Sequence, residues 1–364
     1  MARLGTGGAA RGFFQLDADY SSTIVPSQFQ VLTATCSGPA VAPTVSALAP
    51  STGPTSGGTS VVLTGTDFTG ASAVKFGATN AASFTVDSAT QITAVSPAGS
   101  AGAVNVTVTT SGGTSATGAG NTFTYISAPT LSASSPSSGP TAGGTSVTLT
   151  GTNLTGVTSV KFGATNATSF TVDSATQITA TAPAGAAGSV DIVVASVGGS
   201  ATRASAFTYV AAPIVSALTP STGPDAGGTS VVLTGANLTG ATAVKFGATN
   251  ATSFTVDSGT QITATAPVGS GSVNVTVTTA GGTSATGAGN AYAYIAAPTV
   301  TAAAPSVGPT AGGTSVILTG TNLTGATAVK FGGVDATGFT VNSATQITAT
   351  APAGAAGSVS IAVT

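Results

Sequence analysis

Charge is what this 364-residue chain has least of. Asp, Glu, Lys and Arg make up 4% of it, against roughly 25% in ordinary globular proteins. Glu, His and Trp do not occur at all, and Cys36 is the one cysteine. Each shortage narrows the reading. Without His or Glu, general acid–base chemistry would fall to nine scattered Asp residues, so an enzyme is not expected. Seven basic residues and a net charge of −2 leave no electrostatic footprint for nucleic acid. One thiol cannot close an internal disulfide, and Cys36 reads as a small buried or idle side chain. No run of about 18 apolar residues exists, so no membrane span is expected. Residues 1–19 lack the unbroken apolar segment of a secretory signal, because Arg11, Asp17 and Asp19 interrupt it.

What is present is a repeat. The stretch Gly53–Phe68, GPTSGGTSVVLTGTDF, returns nearly unchanged from Gly139, Gly223 and Gly308. A Lys-Phe pair recurs at Lys75, Lys161, Lys245 and Lys330, at spacings of 86, 84 and 85. A period of that size is long enough to bury a modest core in each unit. The expected division is 1–43 as an anchoring segment and linker, then units at 44–128, 129–212, 213–297 and 298–364.

Within a unit the pattern is short and alternating. Unit one reads as seven strands, at 44–48, 59–64, 73–76, 83–86, 91–95, 103–109 and 122–126, separated by Gly, Pro, Asn, Asp and Ser clusters. Gly65 is expected to break its strand, with Asp67 favouring a turn just beyond. Val104, Val106 and Val108 alternate with Asn105, Thr107 and Thr109, one face inward and one in water. Phe76, Phe84, Ile92 and Phe123 are the expected bulky core. The fold class is therefore all-β, a row of antiparallel β-sandwiches. The joints, such as Tyr125-Ile-Ser-Ala-Pro129, are short and Pro-stiffened, which predicts a semi-rigid rod.

Residues 1–43 stand apart. Phe14, Leu16, Ala18 and Tyr20 alternate with polar residues, and a weaker strand pattern surrounds Phe29. Two strands are marginal alone, so residues 1–36 are expected to dock on a larger protein assembly. Phe13, Phe14, Leu16, Tyr20 and Phe29 would be the anchors.

The search for chemistry yields structural readings. Asp87, Asp173 and Asp257 hold one equivalent position, occupied in unit four by Asn342. They read as turn residues bonding nearby backbone. No unit offers the Asp cluster that calcium needs, and no cofactor is expected. The lysine of each Lys-Phe pair reads as a solvent-facing charge that discourages edge-to-edge pairing, rather than as a row of ligand contacts.

The ordered set Pro-Ser-x-Gly-Pro-x-x-Gly-Gly-Thr, Leu-Thr-Gly-x-Asn-Leu, Val-Lys-Phe-Gly, Ala-Thr-Gln-Ile-Thr-Ala-x-x-Pro and Phe-x-Tyr resembles the IPT/TIG immunoglobulin-like domain, four times over residues 44–364. The resemblance implies four tandem immunoglobulin-like sandwiches of the E-set type. Its DNA-binding members carry basic loops that this chain lacks. It also implies a protein that projects outward. The expectation is a bacteriophage virion component (capsid decoration, head fibre or tail-associated) docked on capsid or tail proteins through residues 1–36. Its repeats would be free to meet host cell-surface glycans or proteins. The alternative is a bacterial cell-surface or secreted adhesin or spacer. A polysaccharide-binding accessory module is the weaker third reading, since the few aromatics fall on core positions.

Unit four reaches Thr364 without a counterpart of the Phe-x-Tyr strand. Two explanations stay open from the sequence: a natural chain that runs on, which is the expectation, or a strand supplied by a neighbouring chain.

Overall fold

A computed structural model describes residues 40–364. Unit one holds ten strands: β1 (Thr44–Ala49), β2 (Thr52–Pro54), β3 (Ser60–Thr66), β4 (Ala73–Phe76), β5 (Thr79–Asn80), β6 (Ser83–Ser88), β7 (Gln91–Val95), β8 (Gly102–Thr110), β9 (Gly113–Thr114) and β10 (Thr122–Ile126). They form two sheets. One runs β1-β3-β7-β6, and the other β2-β10-β8-β4-β5 with β9 added to β8. Unit three repeats this plan, unit two does so with the counterparts of β9 and β10 joined in one strand (Gly199–Val210), and unit four keeps the first sheet with a three-stranded second one. The only helices among the described residues are three-residue 3₁₀ turns.

The alternation of side chains builds the core. Val61 and Leu63 of β3, Ile92 and Ala94 of β7, and Val106 and Val108 of β8 are fully buried between the sheets. Phe76 and Phe123 complete the layer, in edge-on contact at a centroid distance of 5.1 Å. Phe68, which the alternation does not point to, is also fully buried. Phe84 is only half-buried, because β6 is the outer strand of its sheet. Each unit has its own core, so there are four separate clusters along the chain.

Two local expectations are corrected. Gly65 does not break β3; it lies inside the strand and pairs with Val45. Its role is close approach, since a Cβ there would lie 1.8 Å from the Thr44 carbonyl oxygen and 2.5 Å from the Phe68 ring. The turn falls at Asp67 instead, whose φ of 58° is left-handed, a conformation that Asp and Asn tolerate better than most residues. The second correction concerns Gly53-Pro54, expected as turn alone. These residues lie in β2, which pairs in parallel with β10, so one pair in an otherwise antiparallel sandwich runs the other way. Pro54 is accommodated because β2 is an edge strand.

Replacing a buried ring with a methyl group removes apolar area and leaves a cavity. Phe76→Ala is expected to cost roughly 3–5 kcal/mol. Chemical denaturation of the full chain should show the loss in one transition; near-wild-type stability would show that the ring is not part of the core.

Candidate functional site

The most differentiated place in each unit is the flank where β10 lies between β2 and β8. On one side β10 pairs antiparallel with β8, and on the other it pairs parallel with β2. Its alternation turns Phe123 and Tyr125 inward, where Phe76, Phe123 and Tyr125 form a chain of edge-on rings with centroids 5.1 Å apart at both steps. The Tyr125 hydroxyl donates to the Pro97 carbonyl at 2.8 Å. Tyr209 donates to Pro183 at the same distance in unit two. The backbone fits itself to the rings: a Cβ at Gly53 would be 2.8 Å from Phe123, and one at Gly99 2.8 Å from the Tyr125 ring.

Unit three varies the theme. Tyr292 stands where the other two have Phe, and the loop after Pro267 is one residue shorter than that after Pro97. Here both ring hydroxyls, of Tyr292 and Tyr294, are buried without a hydrogen-bond partner. Burial holds the ionisation of Tyr125, Tyr209 and Tyr294 above the ordinary phenol value, with the Tyr292 hydroxyl adding to the effect at Tyr294.

In unit four the flank is open. The counterpart of β10 is not among the 364 residues, and both of its would-be neighbours lose strand form. Residues 306–309, equivalent to β2, are irregular, and the final strand begins only at Ile361. A groove of about 700 Å³ lies between them, lined by Val307, Gly308, Phe331, Pro352, Gly354 and Val359 among others. Val307 is 81% exposed and Val359 55%. Phe331 is only half-buried, whereas its counterparts Phe76, Phe162 and Phe246 are buried.

The charged residues are dispersed. Among the described residues no three Asp or Cys side chains come close enough to hold a metal ion. Asp87, Asp173 and Asp257 accept bonds of 2.7 Å from Thr93, Thr179 and Thr263 on the neighbouring strand. They do not bond nearby backbone as expected. The neighbouring Ser does so: Thr90 N–H donates to the Ser88 hydroxyl at 3.1 Å. Asp87 sits at the register shift between Val86 and Ser88, a bulge in an outer strand. Asn342 fits the same position by donating to Thr348 at 2.7 Å, reversing the bond. Lys75, Lys161 and Lys245 are exposed opposite Asn80, Asn166 and Asn250. Lys330 faces Asp335 instead and forms an ion pair at 2.9 Å. No described aromatic is exposed; each is buried or half-buried. The anchor residues Phe13, Phe14, Leu16, Tyr20 and Phe29 lie outside the described residues, as does Cys36. Among those described, no helix is long and apolar enough to cross a membrane.

One outcome follows from this geometry. A phenol whose folded pKa is raised stabilises the fold in its neutral form. That contribution is fully present below about pH 10 and is lost as pH rises through the folded value. Thermal midpoints of units one to three should therefore hold steady toward neutrality and fall above about pH 10; a midpoint unchanged at pH 11 would contradict this.

Comparison with known proteins bears on the whole array. The family model described as "IPT/TIG domain" matches residues 43–125, 129–209, 213–294 and 298–364. A search of curated proteins returned no match. Among solved structures, the chain is similar to the full extracellular region of plexin A4, at 21% identity over 96% of this chain and 31% of that one, with a TM-score of 0.33. It thus spans about a third of that protein's length. It is also similar to SGBP-B from a complex xyloglucan utilization locus in Bacteroides uniformis, at 22% identity over 54% of this chain and 57% of that one, TM-score 0.24. A third similarity is to the Escherichia coli adhesin FdeC, at 18% identity over 65% of this chain and 92% of that one, TM-score 0.27. Four sandwiches with four separate cores carry four consecutive family matches, and the chain belongs to the IPT/TIG domain family.

Proposed function

We propose that this chain is a non-enzymatic structural and interaction protein, a tandem IPT/TIG spacer that projects from a surface and holds its two ends apart. The observation that carries the reading is the array itself. Four units, each with its own core, follow one another through joints of a few residues. The joints are seated on the units they enter. Gly112, Gly198 and Gly281 lie so near the carbonyls of Val41, Ser127 and Ala211 that a Cβ would come within 2.1–2.2 Å of each oxygen. Such seating favours a stiff spacer over a flexible string.

The surface we favour is that of a bacterial cell, or the space outside it. A virion surface, the first expectation from the sequence, is the competing location for the same array. At either place the N-terminal segment would serve as the anchor, with Phe13, Phe14, Leu16, Tyr20 and Phe29 docking on a larger protein assembly. Glycan binding by the repeats has less support, because a sugar platform needs exposed rings and the described aromatics are turned inward.

Immunolabelling of cell envelopes, culture supernatant and purified particles tests the location. Label in the envelope or the supernatant is the expected result, and label confined to phage particles would replace this reading with the virion one. Deleting residues 1–36 should release the array from its surface while leaving it folded; undiminished retention would remove the anchor assignment.

A further inference from the structure

We infer that units one to three are shear clamps, built so that the array can carry tension along the chain. The inference rests on the spacer reading for its use, and on the following geometry for its physics. The chain enters each unit through β1 and β2 and leaves it through β10. In unit one β2 and β10 are parallel neighbours, with Thr52 opposite Thr124, Gly53 opposite Tyr125 and Pro54 opposite Ile126. Units two and three repeat the pair at Ser138–Pro140 with Thr208–Val210, and at Thr222–Pro224 with Ala293–Ile295.

Tension draws the start of β2 one way and the end of β10 the other. Because the strands are parallel, these two points lie at opposite ends of the pair. The load therefore slides the strands along their common axis, and the bonds between them must give way together. Neighbouring antiparallel ends would instead open like a zip, one bond at a time.

Both ends of the pair are fastened. Thr124 N–H donates to Ser51 at 2.9 Å, and Thr55 N–H donates to the Ile126 carbonyl at 3.1 Å. The equivalents are Thr208 to Ser137 and Thr141 to Val210 in unit two, and Ala293 to Ser221 and Asp225 to Ile295 in unit three, at 2.9–3.1 Å. Sliding is also opposed by the core, since Phe123 points inward from β10 and is pressed against Gly53 of β2.

Thr55 offers a clean test. Gly57 N–H donates to the Pro54 carbonyl at 3.0 Å, so Thr55 is the second residue of a four-residue turn. Proline is favoured at that position. Thr55→Pro therefore keeps the turn and removes the backbone N–H that fastens Ile126.

The experiment is single-molecule force spectroscopy of the full 364-residue chain, held by its two ends. Units one to three should each give a high-force event that lengthens the chain by roughly 250–300 Å, the span of one extended unit. In Thr55→Pro one of the three events should drop below the other two, while Asp87→Ala, which breaks a bond remote from the clamp, leaves all three in place. Thr141→Pro and Asp225→Pro repeat the test in the next two units if unit one does not fold with its proline. Three undiminished events in every proline variant that folds would overturn the inference, as would an unsubstituted chain whose first three units open without high-force events. Immunolabelling decides the spacer reading separately, so the two can fail independently.

Discussion

Each unit depends on one strand being held on both sides. β10 is the last strand of its unit and the only long one with a parallel neighbour on one edge and an antiparallel one on the other. Its two inward rings fill the space that the sheets leave open at that flank, and the glycines of the neighbouring segments are placed where side chains would collide with them. Units two and three close the same flank with the parallel pairs Ser138–Pro140 with Thr208–Val210 and Thr222–Pro224 with Ala293–Ile295. The sandwich is thus closed by non-local pairing, about 70 residues from β2 along the chain, and not by its turns.

This dependence explains which parts of the fold were legible in the sequence. The seven strands read from alternation are all present, because each buries one face and a period of two leaves its mark on the residues. Phe76, Ile92 and Phe123 are core residues as their patterns indicate. β2 was not legible: Thr-Gly-Pro carries turn signals, and it becomes a strand only when β10 is laid beside it. Phe68 was missed because it follows a left-handed turn residue and falls outside any alternating run. At Asp87 the sequence pointed to the right place and the wrong bond. An aspartate before a serine reads as a local turn, whereas the structure shares the work, the serine bonding backbone and the aspartate reaching a threonine on the next strand.

The scarcity of charge is resolved on the surface. Outward positions are occupied by Thr, Ser and Asn, and many of these hydroxyls bond one another across strands, as Thr109 does with Thr114 and Ser253 with Thr265. A uniform hydroxyl-lined face leaves little to discourage a neighbouring molecule from adding a strand to an open edge. The outer strand β6 counters this with its bulge at Asp87, and β4 with an exposed Lys75 beside the two-residue β5. The bulge recurs in all four units, and the exposed lysine in units one to three. They also explain why so few charges are placed at equivalent positions: the lysine and the aspartate are spent on edges.

The central claim is that the parallel pair closes each unit, and native-state hydrogen exchange tests it most directly. The amides of Thr55, Thr141 and Asp225, which fasten the end of the closing strand, should exchange only when their whole unit opens, with the same protection as the central β3 and β7 amides. Fast exchange at Thr55, Thr141 and Asp225, while the β3 and β7 amides stay protected, would contradict the account.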